Sequence, residues 1–193
     1  PMSLTYLAAV LRAGGHEVGV LNADLEGVGE KSARKLYGSH DVYRRRINDP
    51  DDECWVEVRR EIEKFQPDLL GVHMKTGSCR SALNTAHLAK EIDPEITTVV
   101  GGPHPTLLPQ EVAQNDAVDF VVVGEGEETL AELADSGKGS IHSIKGLVYS
   151  SENQVIFTSA RPLIEDVDRI PFPAREAILY KERYPRDAFG IIY

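Results

Sequence analysis

The chain has 193 residues, 41% of them hydrophobic and 27% charged, with a formal net charge of -10. That length suits one well-buried domain with an appendage, and the mixture is that of a globular chain rather than a disordered one. The negative field opposes nucleic acid and anionic lipid, no apolar run reaches the roughly 18 residues of a spanning helix, and Cys54 and Cys79 are too few for a four-ligand metal site.

In chain order, Ser3 is placed to cap a helix whose apolar positions Leu4, Leu7, Ala8 and Leu11 recur at three- and four-residue steps, and Gly14-Gly15 ends it. Glu17 to Asn22 then reads as a short strand through Val18, Val20 and Leu21. Residues 26–50 lack sustained periodicity, apart from a short helix expected around Glu30 to Leu36, and read as an insertion or lid. Trp55, Val58, Ile62 and Phe65 share one face of a second helix, with Asp51-Asp52-Glu53 as its acidic first turn and Pro67 as its stop. Leu69 to Met74 follows as a buried strand. Ser78 is the expected cap of a helix turning Ala82, Ala86, Ala89 and Ile92 inward, before the strand Thr97 to Val100 and the loop Gly101 to Pro105. A short helix near Pro109 to Asn115, a strand from Asp119 to Val123, and a helix ending near Asp135 complete three β-loop-α units. Leu147 to Tyr149 and Val155 to Phe157 pair as a hairpin, Arg161 to Pro173 is an extended Pro-punctuated connector, and Phe189 to Tyr193 resembles the start of another strand.

Strands apolar on both faces, alternating with helices, predict an α/β fold with an open parallel sheet, Rossmann- or flavodoxin-like. Such a sheet opens with a strand, whereas this sequence opens in a helix, so a first strand is expected upstream of Pro1. The expected division is an α/β domain over 1–136, then a hairpin and linker over 137–193. Pro1-Met2-Ser3 shows neither a basic region nor an apolar core with a cleavage site, which makes a cytoplasmic location the default expectation.

Ligands of open parallel sheets bind beyond the carboxyl ends of the strands, which singles out Lys75 to Ser78, Gly101 to Thr106 and Gly124 to Thr129. Gly101 and Gly102 lack side chains where a flat ligand would lie against backbone; a turn requiring positive φ explains the same pair. A β-branched residue at Gly102 is expected to clash with ligand and leave the fold intact. Gly124-x-Gly126 followed by Thr129 is a poor dinucleotide fingerprint, and Glu125 and Glu127 would repel a pyrophosphate. A receiver-type domain would need an Asp where this chain has His73-Met74-Lys75.

Four segments are more specific together than alone: Leu4 to Val18, Val99 to Thr106 (Val-Val-Gly-Gly-Pro-His-Pro-Thr), Val123 to Leu130 (Val-Gly-Glu-Gly-Glu-Glu-Thr-Leu) and Ile170 to Ala174. In that order they resemble the N-terminal cobalamin-binding domain of cobalamin-dependent radical S-adenosylmethionine enzymes, over nearly the whole chain. The resemblance implies cobalamin as cofactor. It implies, too, a [4Fe-4S] cluster and S-adenosylmethionine in a barrel of the same polypeptide, whose Cys-x-x-x-Cys-x-x-Cys motif this sequence does not contain, and hence no catalytic residue and no metal ligand here. It places Lys75, Thr76, Gly77 and Ser78 at the corrin edge and its amides, and Gly101, Gly102, Pro103 and His104 at the nucleotide tail or corrin face. Gly124, Glu125, Gly126 and Glu127 complete the wall. The Asp-x-His-x-x-Gly ligand motif of mutases is absent, which implies base-off cobalamin without His ligation. Competing explanations stand beside these: His104 bracing a turn, His73 as a satisfied core group, Glu127 and Glu128 as helix N-terminal carboxylates, Cys79 as an inert thiol. The rival functions are a nucleotide or small-molecule enzyme domain and a regulatory or interaction module.

Overall fold

The computed structural model describes residues 2–23, 40–136 and 141–183. Helix α1, Met2–Ala13, begins before Ser3, so Ser3 sits in its first turn rather than at its cap. Thr5, Ala8 and Ala9 are its buried positions, and Leu4, Leu7 and Leu11 are half-buried. Among the described residues, the expected strand at Glu17 to Asn22 reduces to one parallel bridge between Val20 and Ile178. Apolar alternation specifies burial, and here burial is met by packing Val18 and Val20 on Ala8, Ala9, Ala174 and Ile178 without a longer ladder.

The helix expected at Glu30 to Leu36 and the strand start at Phe189 to Tyr193 lie outside the described residues. The stretch read as irregular nevertheless contains helix α2, His40–Ile47. Its C-terminal end is held from outside: Trp55 Nε1 donates to the Arg46 carbonyl at 2.9 Å, Asn84 Nδ2 to the Ile47 carbonyl at 2.9 Å, and Arg46 Nε pairs with Asp52. Asp52 also accepts from Cys54 N and so caps helix α3, Glu53–Phe65, which buries Val58 and Ile62. Gln66, left-handed at φ 49°, closes that helix ahead of Pro67.

The core follows as β1 Leu69–His73, α4 Cys79–Ile92, β2 Thr97–Gly101, α5 Pro103–Leu107, α6 Pro109–Ala113, β3 Phe120–Val122, α7 Glu127–Ser136, β4 Leu147–Ser151 and β5 Gln154–Phe157. Helix α5 was expected as loop; Pro103 at its first position, with φ already helical and no amide hydrogen to lose, starts it. The five strands form one sheet in the order β1-β2-β3-β4-β5, the first three parallel and the last two antiparallel. The hairpin thus extends the main sheet, its turn made by Glu152 and Asn153 at φ 50° and 63°.

Alternate strand residues face opposite layers, as a period of two requires. Val100 and Val121 pack with Met74, Ala82 and Ala86 of α4 and with Val112 of α6 on one face. Val99, Val122 and Leu147 meet Leu130 and Leu133 of α7 and Leu7 and Leu11 of α1 on the other. Both faces are therefore covered, which leaves the carboxyl rim of β1, β2 and β3 as the place where loops are free to bind. Among the described residues no helix is long and apolar enough to cross a membrane.

Candidate functional site

Because β1, β2 and β3 run parallel, the turns that follow them open on one rim. Hydrogen bonds join the turns into a continuous shelf. His104 N donates to the Met74 carbonyl at 3.3 Å, and Thr76 Oγ1 lies 3.3 Å from His104 Nδ1, linking the first turn to the second. Gly124 N donates to Thr106 Oγ1 at 3.1 Å, linking the second to the third. All three turns singled out by sequence are thus brought together.

Their residues divide by exposure. Lys75, Thr76, Gly77, Pro103, Thr106 and Gly124 are exposed along the shelf, whereas His104 is 8% exposed and engaged with Thr76. His104 therefore braces the turn from below. Ser78 does not cap α4 with its side chain; Lys75 N donates to its Oγ at 3.1 Å, which closes the 3-10 turn Thr76–Ser78 instead. A Cβ built on Gly77 or Gly124 meets nothing within 4 Å, so open space lies over the first and third turns. Among the described residues no side chain stands over those two glycines, which is the room a broad planar group requires.

Three of the candidate positions have structural duties as well. Glu125 Oε2 accepts from Ile164 N at 2.6 Å, binding the third turn to the connector. Gly126 lies where a Cβ would stand 3.3 Å from Leu7 Cδ2 of α1, a close helix-to-turn approach. Glu127 and Glu128 begin α7, where carboxylates favour the helix dipole. The expectation for Gly102 is overturned. Its φ is 117°, and a Cβ there would lie 2.8 Å from the Met74 carbonyl oxygen and 2.9 Å from His73 Cδ2, so bulk collides with the protein itself before any ligand.

His73, last residue of β1, stands opposite Gly101 in the sheet with its ring along Gly102. Burial lowers its pKa and the Lys75 charge adds to the effect, so the imidazole is neutral at pH 7. Burial pushes the Cys79 thiol up, with Glu111 contributing, which makes it a poor nucleophile. Among the described residues no three His, Cys, Asp or Glu side chains gather as a metal site.

Sequence missed Arg161, the residue that fastens the connector. Its side chain is 8% exposed, and it donates to Thr129 Oγ1 at 2.7 Å, Glu128 at 2.9 Å and Glu132 at 2.6 Å. The signal was present as acidic residues four apart on α7, but only the fold reveals that Arg161 reaches them.

The B12 binding domain profile matches residues 1–134. This chain belongs to the B12-binding domain family. Its cofactor is cobalamin. The B12-binding domain is 35% identical over 147 residues to an uncharacterized methyltransferase of Pyrococcus horikoshii, covering 74% of this chain and 32% of that protein. It is 36% identical over 121 residues to the anaerobic magnesium-protoporphyrin IX monomethyl ester cyclase of Rubrivivax gelatinosus, covering 59% of this chain and 22% of that one. The B12-binding domain shares its fold with TsrM of Kitasatospora setae, a radical S-adenosylmethionine methyltransferase solved with cobalamin and a [4Fe-4S] cluster. The TM-score is 0.61 at 20% identity, over 90% of this chain and 28% of that one. The chain thus spans a third or less of these relatives' length.

Proposed function

We propose that this chain is the cobalamin-presenting module of a larger radical S-adenosylmethionine enzyme, methyltransferase-like or cyclase-like. The [4Fe-4S] cluster, S-adenosylmethionine and substrate are held by a barrel of the same polypeptide. The observation that carries the reading is the single shelf made by three hydrogen-bonded turns, with open space over Gly77 and Gly124. The names and lengths of the relatives support the larger assembly. Cobalamin supplies a cobalt centre able to carry a methyl group.

Within that reading, the backbone and hydroxyls of Lys75, Thr76, Gly77 and Ser78 meet the corrin edge, whose amides need donors and acceptors rather than charge. Gly101, Gly102 and Pro103 form the floor against the nucleotide tail or corrin face, with His104 holding Thr76 in place. Gly124, Glu125, Gly126 and Glu127 form the end wall. The cofactor is held base-off, without a His ligand from this chain. The module acts in the cytoplasm, on neither nucleic acid nor membrane, in keeping with its net charge of -10.

Incubation with hydroxocobalamin followed by desalting tests the reading. A retained corrin absorption band in stoichiometric amount is the expected result. A colourless protein with an unchanged circular dichroism spectrum favours a nucleotide or small-molecule domain instead.

A further inference from the structure

We propose that His73 is a cofactor-contacting residue whose imidazole hydrogen-bonds an uncharged polar group of bound cobalamin without coordinating cobalt. The inference rests on the cobalamin reading above and adds a residue that neither the motifs nor the family match singled out.

Four other histidines with described side chains each lie beside a partner. His16 pairs with Asp135, His87 with Asp116, His104 with Thr76 and His142 with Tyr149. His73 is different. It is half-buried at the tip of β1, and its ring makes no hydrogen bond among the described residues. A partly desolvated imidazole carries one donor and one acceptor, and leaving both unpaired costs free energy that a bound ligand can recover. The position is suited to that purpose, because His73 ends its strand opposite Gly101 and two residues before the exposed Lys75, at the carboxyl rim from which the turns leave the sheet.

The contact with Gly102 determines what kind of bond the ring can make. Nε2 and Cδ2 lie 3.0 and 2.9 Å from where a Gly102 Cβ would stand, so this edge of the ring is laid against backbone. A side chain at position 102 would press on that edge, so Gly102 is what leaves the ring its place. Burial and Lys75 keep the ring neutral, which suits an amide or a hydroxyl better than a phosphate. Cobalamin offers such groups at two places: the amides around the corrin and the sugar of the nucleotide tail.

The test compares cobalamin and cobinamide, which lacks the nucleotide tail, on wild type, His73→Phe and His73→Gln, with affinity read from the corrin band at equilibrium. His73→Phe should weaken cobalamin by about tenfold, the scale of one buried hydrogen bond left unmade, and His73→Gln should recover much of it. A loss seen equally with cobinamide assigns the partner to the corrin amides; a loss confined to cobalamin assigns it to the tail. Independently of any variant, the ring nitrogens of 15N-labelled His73 should shift on binding while keeping the signature of an uncoordinated, neutral imidazole. Wild-type binding with equal affinity in His73→Phe, or unmoved ring signals, overturns the inference and leaves the cobalamin reading standing. Paramagnetic resonance of the cobalt(II) form that shows a nitrogen coupling lost in His73→Gln overturns it too, by making His73 a ligand. Failure of the wild type to bind overturns both.

Discussion

Gly102→Ala separates two reasons for a glycine at the shelf, the protein's own geometry and room for a ligand. With φ 117° and ψ -170°, Gly102 occupies a region essentially closed to residues with a Cβ, and forcing one there costs on the order of 1–3 kcal/mol. The new methyl would also stand 2.8 Å from the Met74 carbonyl oxygen and 2.9 Å from the His73 ring. The first neighbour is backbone and cannot swing away, so overpacking adds about 1–3 kcal/mol. Together the loss is about 2–6 kcal/mol, a large part of the roughly 5–15 kcal/mol that holds a domain folded. Urea unfolding followed by far-ultraviolet circular dichroism should show the midpoint falling at constant slope. Gly77→Ala is the control: nothing lies within 4 Å of its Cβ and its φ is not positive, so stability should change by less than about 0.5 kcal/mol. Bulkier residues at 77 should instead reduce corrin retention. A Gly102→Ala protein as stable as wild type would refute the steric argument and return that glycine to the ligand.

Three more perturbations follow from the same geometry. Arg161→Leu leaves Glu128 and Glu132 facing each other one turn apart without their shared cation, and should cost about 1–3 kcal/mol in denaturant unfolding, with faster proteolysis of the connector. Tyr180→Phe removes the 2.5 Å bond to Glu61, a carboxylate only 6% exposed. Burial pushes the Glu61 pKa up, but Tyr180 and Arg60 outweigh it and hold it below its ordinary value, so the variant should raise it, as carbon-detected NMR titration would report. Asp52 is held low by the Arg46 guanidinium, against the opposing push of burial and with help from the Cys54 amide. A folded pKa below the unfolded one gives stability that is present above the unfolded value and lost as pH falls through the folded value. The stability gap between wild type and Asp52→Asn, which keeps the helix cap, should therefore be full at pH 7 and shrink below about pH 4.

The parallel core was legible because Val99-Val100 and Val121-Val122 are apolar on both faces, a pattern that only a doubly covered strand requires. The three site turns were legible for a related reason, since strand direction alone puts them on one rim. What escaped was whatever depends on a partner distant in sequence. Val18 to Leu21 has the composition of a strand but, among the described residues, finds only Ile178 to pair with. Helix α2 is polar along most of its length and is held by Trp55 and Asn84, neither of which its own sequence announces. Pro103 was a missed local signal, since a proline after Gly-Gly is well placed to open a helix. The family resemblance implies a ligand-wall role for Gly126, while its packing against Leu7 becomes visible only once α1 is in place.

The connector is tied down at both ends. Arg161 and Ile164 fix its beginning to α7 and Glu125, while Ala174 N bonds to the Thr5 carbonyl and Leu179 N to Val20 on the far side of α1. A tether with two anchors has little slack, so it transmits angle as well as distance. Its direction is therefore set by α7 at one end and α1 at the other, and cutting the Arg161 knot should free the first of these while leaving the second.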